Sequence, residues 1–295
     1  MSAAELPHVP VGPEWWSSLR TQWTMLRICL EERLVYRGDF ALGTFMRFLP
    51  IVTQIFLWGA VFDAAPSPEA GQAKSILGYS YENFIAYYLL TYISRAFSSM
   101  PGLSSGIARD IREGHVKKYL IQPVDMVTFL FWNRVAHKLV YYMVAAGPLA
   151  VLFFLCRGFF DGWPDAWTMA AYISSLLMAF LLGFLLESTM GLTAFWFLNV
   201  SSLVFIYMLF SFFFSGHMFP IDMLPNDTFI PWRTLVELIP LQYLAYFPTA
   251  VFLGKIQGTA LVYGLLIQAL WIVIFLILNR LAFHYGVRRY SAFGG

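Results

Sequence analysis

Charge is what this sequence has least of. Its 19 Lys and Arg and 17 Asp and Glu make up 12% of 295 residues, about half the charged share of an ordinary soluble domain. A formal net charge of +2 gives no reason to expect a nucleic-acid partner, so the cations are read for topology. Cysteine is scarce too: the only two are Cys29 and Cys156, each read as a small buried apolar residue. The phosphate-gripping pattern G-x-x-x-x-G-K-[ST] is missing, because Gly254-Lys255 runs on to Ile256 and lacks the hydroxyl that holds magnesium. Hydrolysis of ATP by this chain is therefore not expected. No H-E-x-x-H occurs, and His8, His115, His137, His217 and His284 are too scattered for a metal-site spacing. GLSSG at 102–106 fits the G-x-S-x-G serine-nucleophile pattern, but it follows an apolar helix and not a strand. A break at the end of that helix accounts better for its glycines. The start, MSAAELPHVPVGPEWW, has no basic residues ahead of an apolar run, so no cleavable signal peptide is expected.

What is present is apolar. The chain is 59% hydrophobic and 19% aromatic, with a mean hydropathy of +0.65, which predicts an all-α integral membrane protein with aromatic belts at the interfaces. A spanning helix needs about 20 mostly apolar residues. Six segments qualify, roughly 40–62, 82–103, 127–156, 167–188, 193–215 and 259–283, the third long enough to tilt or project. Placing the N-terminus inside puts Arg20, Arg27, Arg33, Arg37, Arg109, Arg112, Lys117, Lys118, Arg288 and Arg289 in the cytosol. It leaves Lys74, Arg157, Arg233 and Lys255 dispersed outside. Both termini are then cytosolic. The two cysteines fall on opposite sides of the membrane, where no disulfide joins them.

Three stretches are more than spans or plain loops. From Trp15 to about Gly38, Trp16, Leu19, Trp23, Leu26 and Leu30 step by three and four opposite Ser17, Arg20, Thr24, Arg27 and Glu31. This pattern predicts a helix in the interface plane; a core-facing helix of a small soluble domain is the alternative. Between spans two and three, Ser104–Asp125 gathers Arg109, Asp110, Arg112, Glu113, Lys117 and Lys118 around Ile107, Ile111, Tyr119 and Leu120, as a short amphipathic cytosolic helix would. Its alternative is a solvated loop whose charges set topology. Ahead of span six, Pro220, Pro225, Pro231, Pro240 and Pro248 punctuate apolar runs too short to cross. Re-entrant helices in the outer leaflet are expected there, covered by protein or lining a wet cavity.

Arg47, Arg95, Arg134 and Lys138 lie inside spans, as does Glu187 at the end of the fourth. All fall in the cytosolic half. Two readings stand: cations snorkelling to headgroups, or an intramembrane polar cluster of Arg47, Arg95 and Glu187, with Glu187 paired to one of the arginines. Tyr87, Tyr88 and Tyr92 on span two and Asn199, Ser201, Ser202 and Tyr207 on span five read first as helix–helix contacts. The functional alternative is a pathway for amphiphiles through Tyr92 and Asn199, with an outer gate at Phe212, Phe213, Phe214 and Pro220.

The order of these parts resembles the membrane subunit of an ABC exporter of the type-two permease class. The run IARDIREGHVKKYLIQPVD at 107–125 resembles the D-I-x-x-G…L-x-x-P run of such bacterial permeases, some of them viologen or multidrug exporters, at Asp110, Ile111, Gly114, Leu120 and Pro123. SGHMFPIDMLP, with Pro240 and Tyr243 beyond it, resembles the outer re-entrant motif. The resemblance implies a 1–38 cytosolic segment bearing the interfacial helix and a 39–295 six-span permease domain in the bacterial cytoplasmic membrane. It implies a coupling helix at 107–123, seated in a separate ATPase subunit, present in two copies, that holds the ATP and magnesium. Ile107, Asp110, Ile111, Arg112, Glu113, Gly114, Leu120 and Pro123 would carry the contact. It also implies a second permease, identical or related, and aromatic richness favours an amphiphilic or lipid-like cargo over small ions. An ion-coupled carrier is the main rival; it would show repeated halves and intramembrane carboxylates, whereas no repeat is visible and Glu187 alone is acidic in a span. A non-transporting interaction subunit and an intramembrane enzyme are the others.

Overall fold

The computed structural model describes residues 14–35, 46, 49–64, 75–76, 78–121, 124–160, 162–197, 199–226, 229 and 231–290. Helices dominate: α1 (Glu14–Val35), α2 (Leu49–Ala64), α3 (Tyr81–Ser98), α4 (Leu103–Arg112), α5 (Lys117–Ile121), α6 (Met126–Leu155), α7 (Ala166–Leu192), α8 (Ser201–Phe214), α9 (Trp232–Glu237), α10 (Tyr246–Phe252) and α11 (Gly258–Arg289). Among the described residues the only strands are β1 (Ser75–Ile76) and β2 (Tyr79–Ser80), an antiparallel pair. Below, the near end is the one that carries α4 and α5, and the far end is opposite.

Helix starts follow from local chemistry. The Ser80 hydroxyl accepts the Asn83 N–H at 3.2 Å, Asp125 accepts the Thr128 N–H at 2.8 Å, and Asp165 accepts those of Trp167 and Thr168 at 3.1 and 3.3 Å. Each satisfies first-turn donors that a helix leaves without partners.

α6, α7 and α11 are long and apolar enough to cross a bilayer, and α2 and α8 are shorter apolar helices. α7 is the hub: 56% of its apolar window is buried, against 17% for α6 and 11% for α11. It packs on α11, α4, α3 and α10. Lipid offers no hydrophobic drive between helices, so polar contacts and small residues set the pairing. On α11, Gln268 exchanges hydrogen bonds with Ser175 at 2.9 and 3.0 Å, and Asn279 donates to Ser188 and Thr189 at 2.8 and 3.3 Å. Gln268 and Asn279 stand about three helical turns apart, so both face α7. Thr249 of α10 meets Ser94 and Thr91 of α3 at 3.2 and 3.4 Å.

Several expected spans differ in detail. The second ends at Ser98, and 99–102 break before α4. The fifth is not continuous over 193–215: Thr193–Phe195 is a 3-10 turn, and α8 begins only at Ser201. Its 14 residues reach about 21 Å, short of a hydrocarbon core of about 30 Å. Much of the start of the expected first span lies outside the described residues. α1 packs along α6, where Trp132 Nε1 donates to Gln22 Oε1 and Arg33 Nη2 donates to Asn133 Oδ1 at 3.1 Å. Of the expected apolar stripe, Leu19 and Trp23 stay exposed, because the face turned to α6 is the neighbouring one through Gln22 and Cys29. Cys29 and Cys156 are free and buried.

Candidate coupling site and its anchorage

The charged connection forms a helix–turn–helix. α4 ends at Arg112 because Gly114 takes a φ of +82°, a left-handed conformation that side chains with a Cβ resist. Val116 N–H then returns to Asp110 O at 3.3 Å, and α5 follows. The Asp110 carboxylate holds the turn together, 3.6 Å from His115 Nδ1 and 3.8 Å from Lys118 Nζ. Glu113 is also 3.6 Å from His115.

The apolar side of this unit belongs to the chain's own core. Leu103, Ile107, Ile111 and Val116 pack with Met126, Phe184, Leu185, Leu192 and Phe195. Two of the proposed partner contacts therefore need correcting: Ile107 and Ile111 are buried at 2% and 6% exposure and hold α4 to α7, so they are not offered to another subunit. Ser105, Arg109, Arg112, Glu113, His115, Lys117, Lys118, Leu120 and Ile121 are its exposed residues. Asp110 and Gly114 are half-buried, and Pro123 lies outside the described residues. α4 comes this close because α7 carries Gly191, where an added Cβ would lie 2.8 Å from Ile107 Cβ and 2.9 Å from Ser104 O. At Gly183 an added Cβ would collide with Ser98 O. Neither glycine stood out in the sequence; Gly183 within the fourth expected span and Gly191 just beyond it were the available signal.

The intramembrane charges converge on the break between α3 and α4. Lys138 Nζ donates to Ser99 O at 2.7 Å and also to Ala96 O. One turn earlier on α6, Arg134 Nη1 donates to Pro101 O at 3.1 Å. From α7, Glu187 Oε1 accepts the Met100 N–H at 3.2 Å. The cations thus satisfy the carbonyls that the end of α3 leaves open, and the carboxylate satisfies an amide freed by the same break. This corrects the expected Glu187–Arg95 ion pair: Arg95 Nη1 donates to Ser211 Oγ of α8 at 3.1 Å and acts on Glu187 only through the longer-range field. Arg47 lies outside the described residues.

The expected pathway and gate residues stand at different levels of the molecule. Asn199 is exposed at the near end, its side chain accepting the Ser201 N–H at 3.0 Å, whereas Phe213 and Phe214 end α8 at the far end and Pro220 follows there. Tyr92 shares a 3.4 Å hydrogen bond with Tyr141. Phe214 packs into two core clusters, Phe213 is exposed at 38%, and buried Pro220 opens the 3-10 turn Ile221–Met223. What the far end does have is a tyrosine clamp. Tyr87 donates to Gly216 O, Tyr88 to Met218 O at 2.7 Å, and Tyr79 to both Asp222 oxygens at 2.8 and 2.9 Å. Lys255 completes it, 3.2 Å from Asp222 Oδ2 and 3.1 Å from the centre of the Tyr79 ring. Burial and the Asp222 carboxylate raise the Tyr79 phenol well above its usual value, so it stays a donor at any physiological pH. Tyr79, Asp222 and Lys255 were missed in the sequence, being isolated polar residues on three separate connections.

A cavity of about 600 Å³ separates α4 from the start of α8, with Ser105, Arg109 and Arg112 on one side and Val200, Val204 and Met208 on the other. The side chains of Arg109 and Arg112 make no hydrogen bond or ion pair among the described residues.

Long apolar helices joined by charged turns, with charges turned inward on a helix break, define a multi-pass membrane protein. The chain belongs to the ABC-2 family transporter proteins, whose model matches residues 48–294, and it is accordingly a type-two ABC transporter permease. No curated protein matches it. Members of the family are generally non-catalytic membrane components, and membership implies an ABC ATPase partner.

Proposed function

We propose that this chain is one half of the membrane pathway of an ATP-driven exporter of amphiphilic or lipid-like molecules, moved by an ATPase subunit that grips α4 and α5. The observation that carries this reading is the division of the connection into two sides. Ile107, Ile111 and Val116 root it in the core of α7 and α11, while Arg109, Arg112, Glu113, Lys117 and Lys118 face outward. A push on the charged side therefore reaches the membrane helices without slack.

In this reading the chain crosses the bacterial cytoplasmic membrane six times, with both termini and the near end cytosolic. The helix at 15–37, within a cytosolic segment 1–38, helps brace the coupling segment at the membrane surface, and 39–295 form the permease domain. Two ATPase subunits supply ATP and magnesium. A second permease, identical or related, lies against the exposed apolar face of α8, where Phe205, Ile206, Met208 and Leu209 stand uncovered. The cavity beside Arg109 and Arg112, cationic on one wall and apolar on the other, suits an amphiphile entering from the cytosolic leaflet. ATP and Mg²⁺ bind to the partner, and no catalytic group is assigned to this chain.

The decisive measurement isolates the full chain from its native membrane and asks whether an ATPase subunit comes with it. Vesicles holding both should then move an amphiphile on ATP. Transport by vesicles holding this chain alone, on an ion gradient and indifferent to ATP, would overturn the proposal. Gly114→Val sharpens the test: a β-branched residue at this φ is strained by about 1–2 kcal/mol and re-aims α5. The variant should insert normally and retain the ATPase while cargo moved per ATP falls several-fold.

A further inference from the structure

We infer that the far end holds a resident phospholipid, its acyl chain between α6 and α7 and its phosphate on Arg157. α6 meets α7 near its start, where Phe131 packs on Phe180 and Phe184. Toward the far end the two helices part around a cleft of about 650 Å³. Its floor is Leu90 and Ile93 of α3 and its walls include Phe153, Phe160, Tyr172 and Phe252. These rings pack edge to face or stacked on one another, with Tyr172 and Phe252 centred 5.1 Å apart and Phe153 and Phe160 5.7 Å apart. Such a lining is mostly hydrocarbon and offers water few hydrogen bonds, so water is a poor occupant; at membrane depth the matching filler is a hydrocarbon chain.

The mouth identifies the rest of the molecule. Arg157 stands there, exposed, its guanidinium 4.7 Å over the Phe154 ring and in no ion pair among the described residues. Beside it Trp163 is 85% exposed, as an interfacial tryptophan is. A second cavity, of about 310 Å³, shares Phe160, Gly162, Trp163 and Phe252 with the cleft and adds Asn83, Thr168, Lys255 and Gln257. The Asp165 carboxylate at its edge is engaged in capping α7. An apolar slot with the Arg157 guanidinium at its mouth thus adjoins a polar chamber, which is the division of a phospholipid into chain, phosphate and linkage. Guanidinium and phosphate pair with two parallel hydrogen bonds. The leaflet is the outer one in the proposed orientation; the site itself does not depend on the transport reading.

The test reconstitutes the full chain in phosphatidylcholine vesicles carrying a trace of phosphatidylglycerol with a photoreactive acyl chain, and maps the cross-links. Labelling should concentrate on residues 150–160 and 169–172. It should fall at least fivefold with Arg157→Glu, recover with Arg157→Lys, and be weak for a photoreactive diacylglycerol, which has the chains and no phosphate. Ala150→Trp, which fills the cleft, should abolish it with Arg157 intact. Cross-links spread evenly over the lipid-facing helices, or unchanged by Arg157→Glu, would overturn the proposal. So would ATP-driven loss of the label to the other leaflet, which would make the lipid cargo and not a resident.

Discussion

At the residue scale, charges inside the bilayer region have a structural use that their cost makes legible. A cation at a helix centre costs about 2.5–3.5 kcal/mol to insert, so Arg134 and Lys138 need a return. They find it in the carbonyls of Ala96, Ser99 and Pro101, which the end of α3 leaves without intrahelical partners. Removing the cation strands those carbonyls. Lys138→Met is expected to destabilise the protein by about 1–3 kcal/mol, read as a lower thermal midpoint in detergent, with Lys138→Arg losing much less. Glu187 was recognisable in the sequence as an intramembrane acid, but its partner was not. That partner is the Met100 amide, which becomes available only because the chain breaks at 99–102, a break recognised in GLSSG without its consequences.

At the scale of elements, the start of α6 ties the coupling segment to the last helix. The Asp125 carboxylate caps α6 and lies 2.9 Å from Arg280 Nη1 of α11. Burial pushes its pKa up, yet hydrogen bonds from the Thr128 hydroxyl and N–H and from Arg280 outweigh that and hold it below the usual 3.8. A carboxyl whose pKa falls on folding contributes stability above its unfolded value and loses it as pH drops through the folded one. The stability of the wild type should therefore fall off below about pH 4. Asp125→Asn, which keeps a cap but drops the charge, should lower stability at pH 7 and flatten that acid limb in thermal scans. The ion pair is partly exposed, with Arg280 at 49% and Asp125 at 34%, so solvent screening keeps its share small. On α11 the two polar contacts to α7 are worth about 0.6–1.7 kcal/mol each in a membrane. Gln268→Leu and Asn279→Leu should each cost that much, and the double variant should approach the sum, because the sites are about 16 Å apart along α11.

At the scale of the whole molecule, α7 takes the load between the connection and the rest. It touches α4 through Gly191, the end of α3 through Gly183 and α11 through Ser175 and Ser188. The far end is closed by tyrosines gripping the segment 216–222. Movement of the connection is thus expected to reach the far end through α3 and α7 as stiff members. Arg112→Glu separates surface from scaffold: Arg112 has no partner among the described residues, so the thermal midpoint should stay within about 1 °C of the wild type. Recovery of the ATPase on affinity purification should drop at least tenfold. Equal recovery from both proteins would remove Arg112 from the coupling surface.

Composition and hydropathy alone determined that this is a helical membrane protein, where its long helices lie, and that its charge gathers in one connection, because each of these is a property of neighbouring residues. Gly114 divides the expected 107–123 helix into α4 and α5, a local backbone need met by a local residue. Which way Ile107 and Ile111 face, what Glu187 and Lys138 hold, and that Tyr79, Asp222 and Lys255 meet were decided only in the tertiary structure. Each of those contacts joins residues that lie far apart along the chain. Periodicity says that a helix has an apolar side; what covers that side depends on how closely another helix can come, and at α7 two glycines decide it.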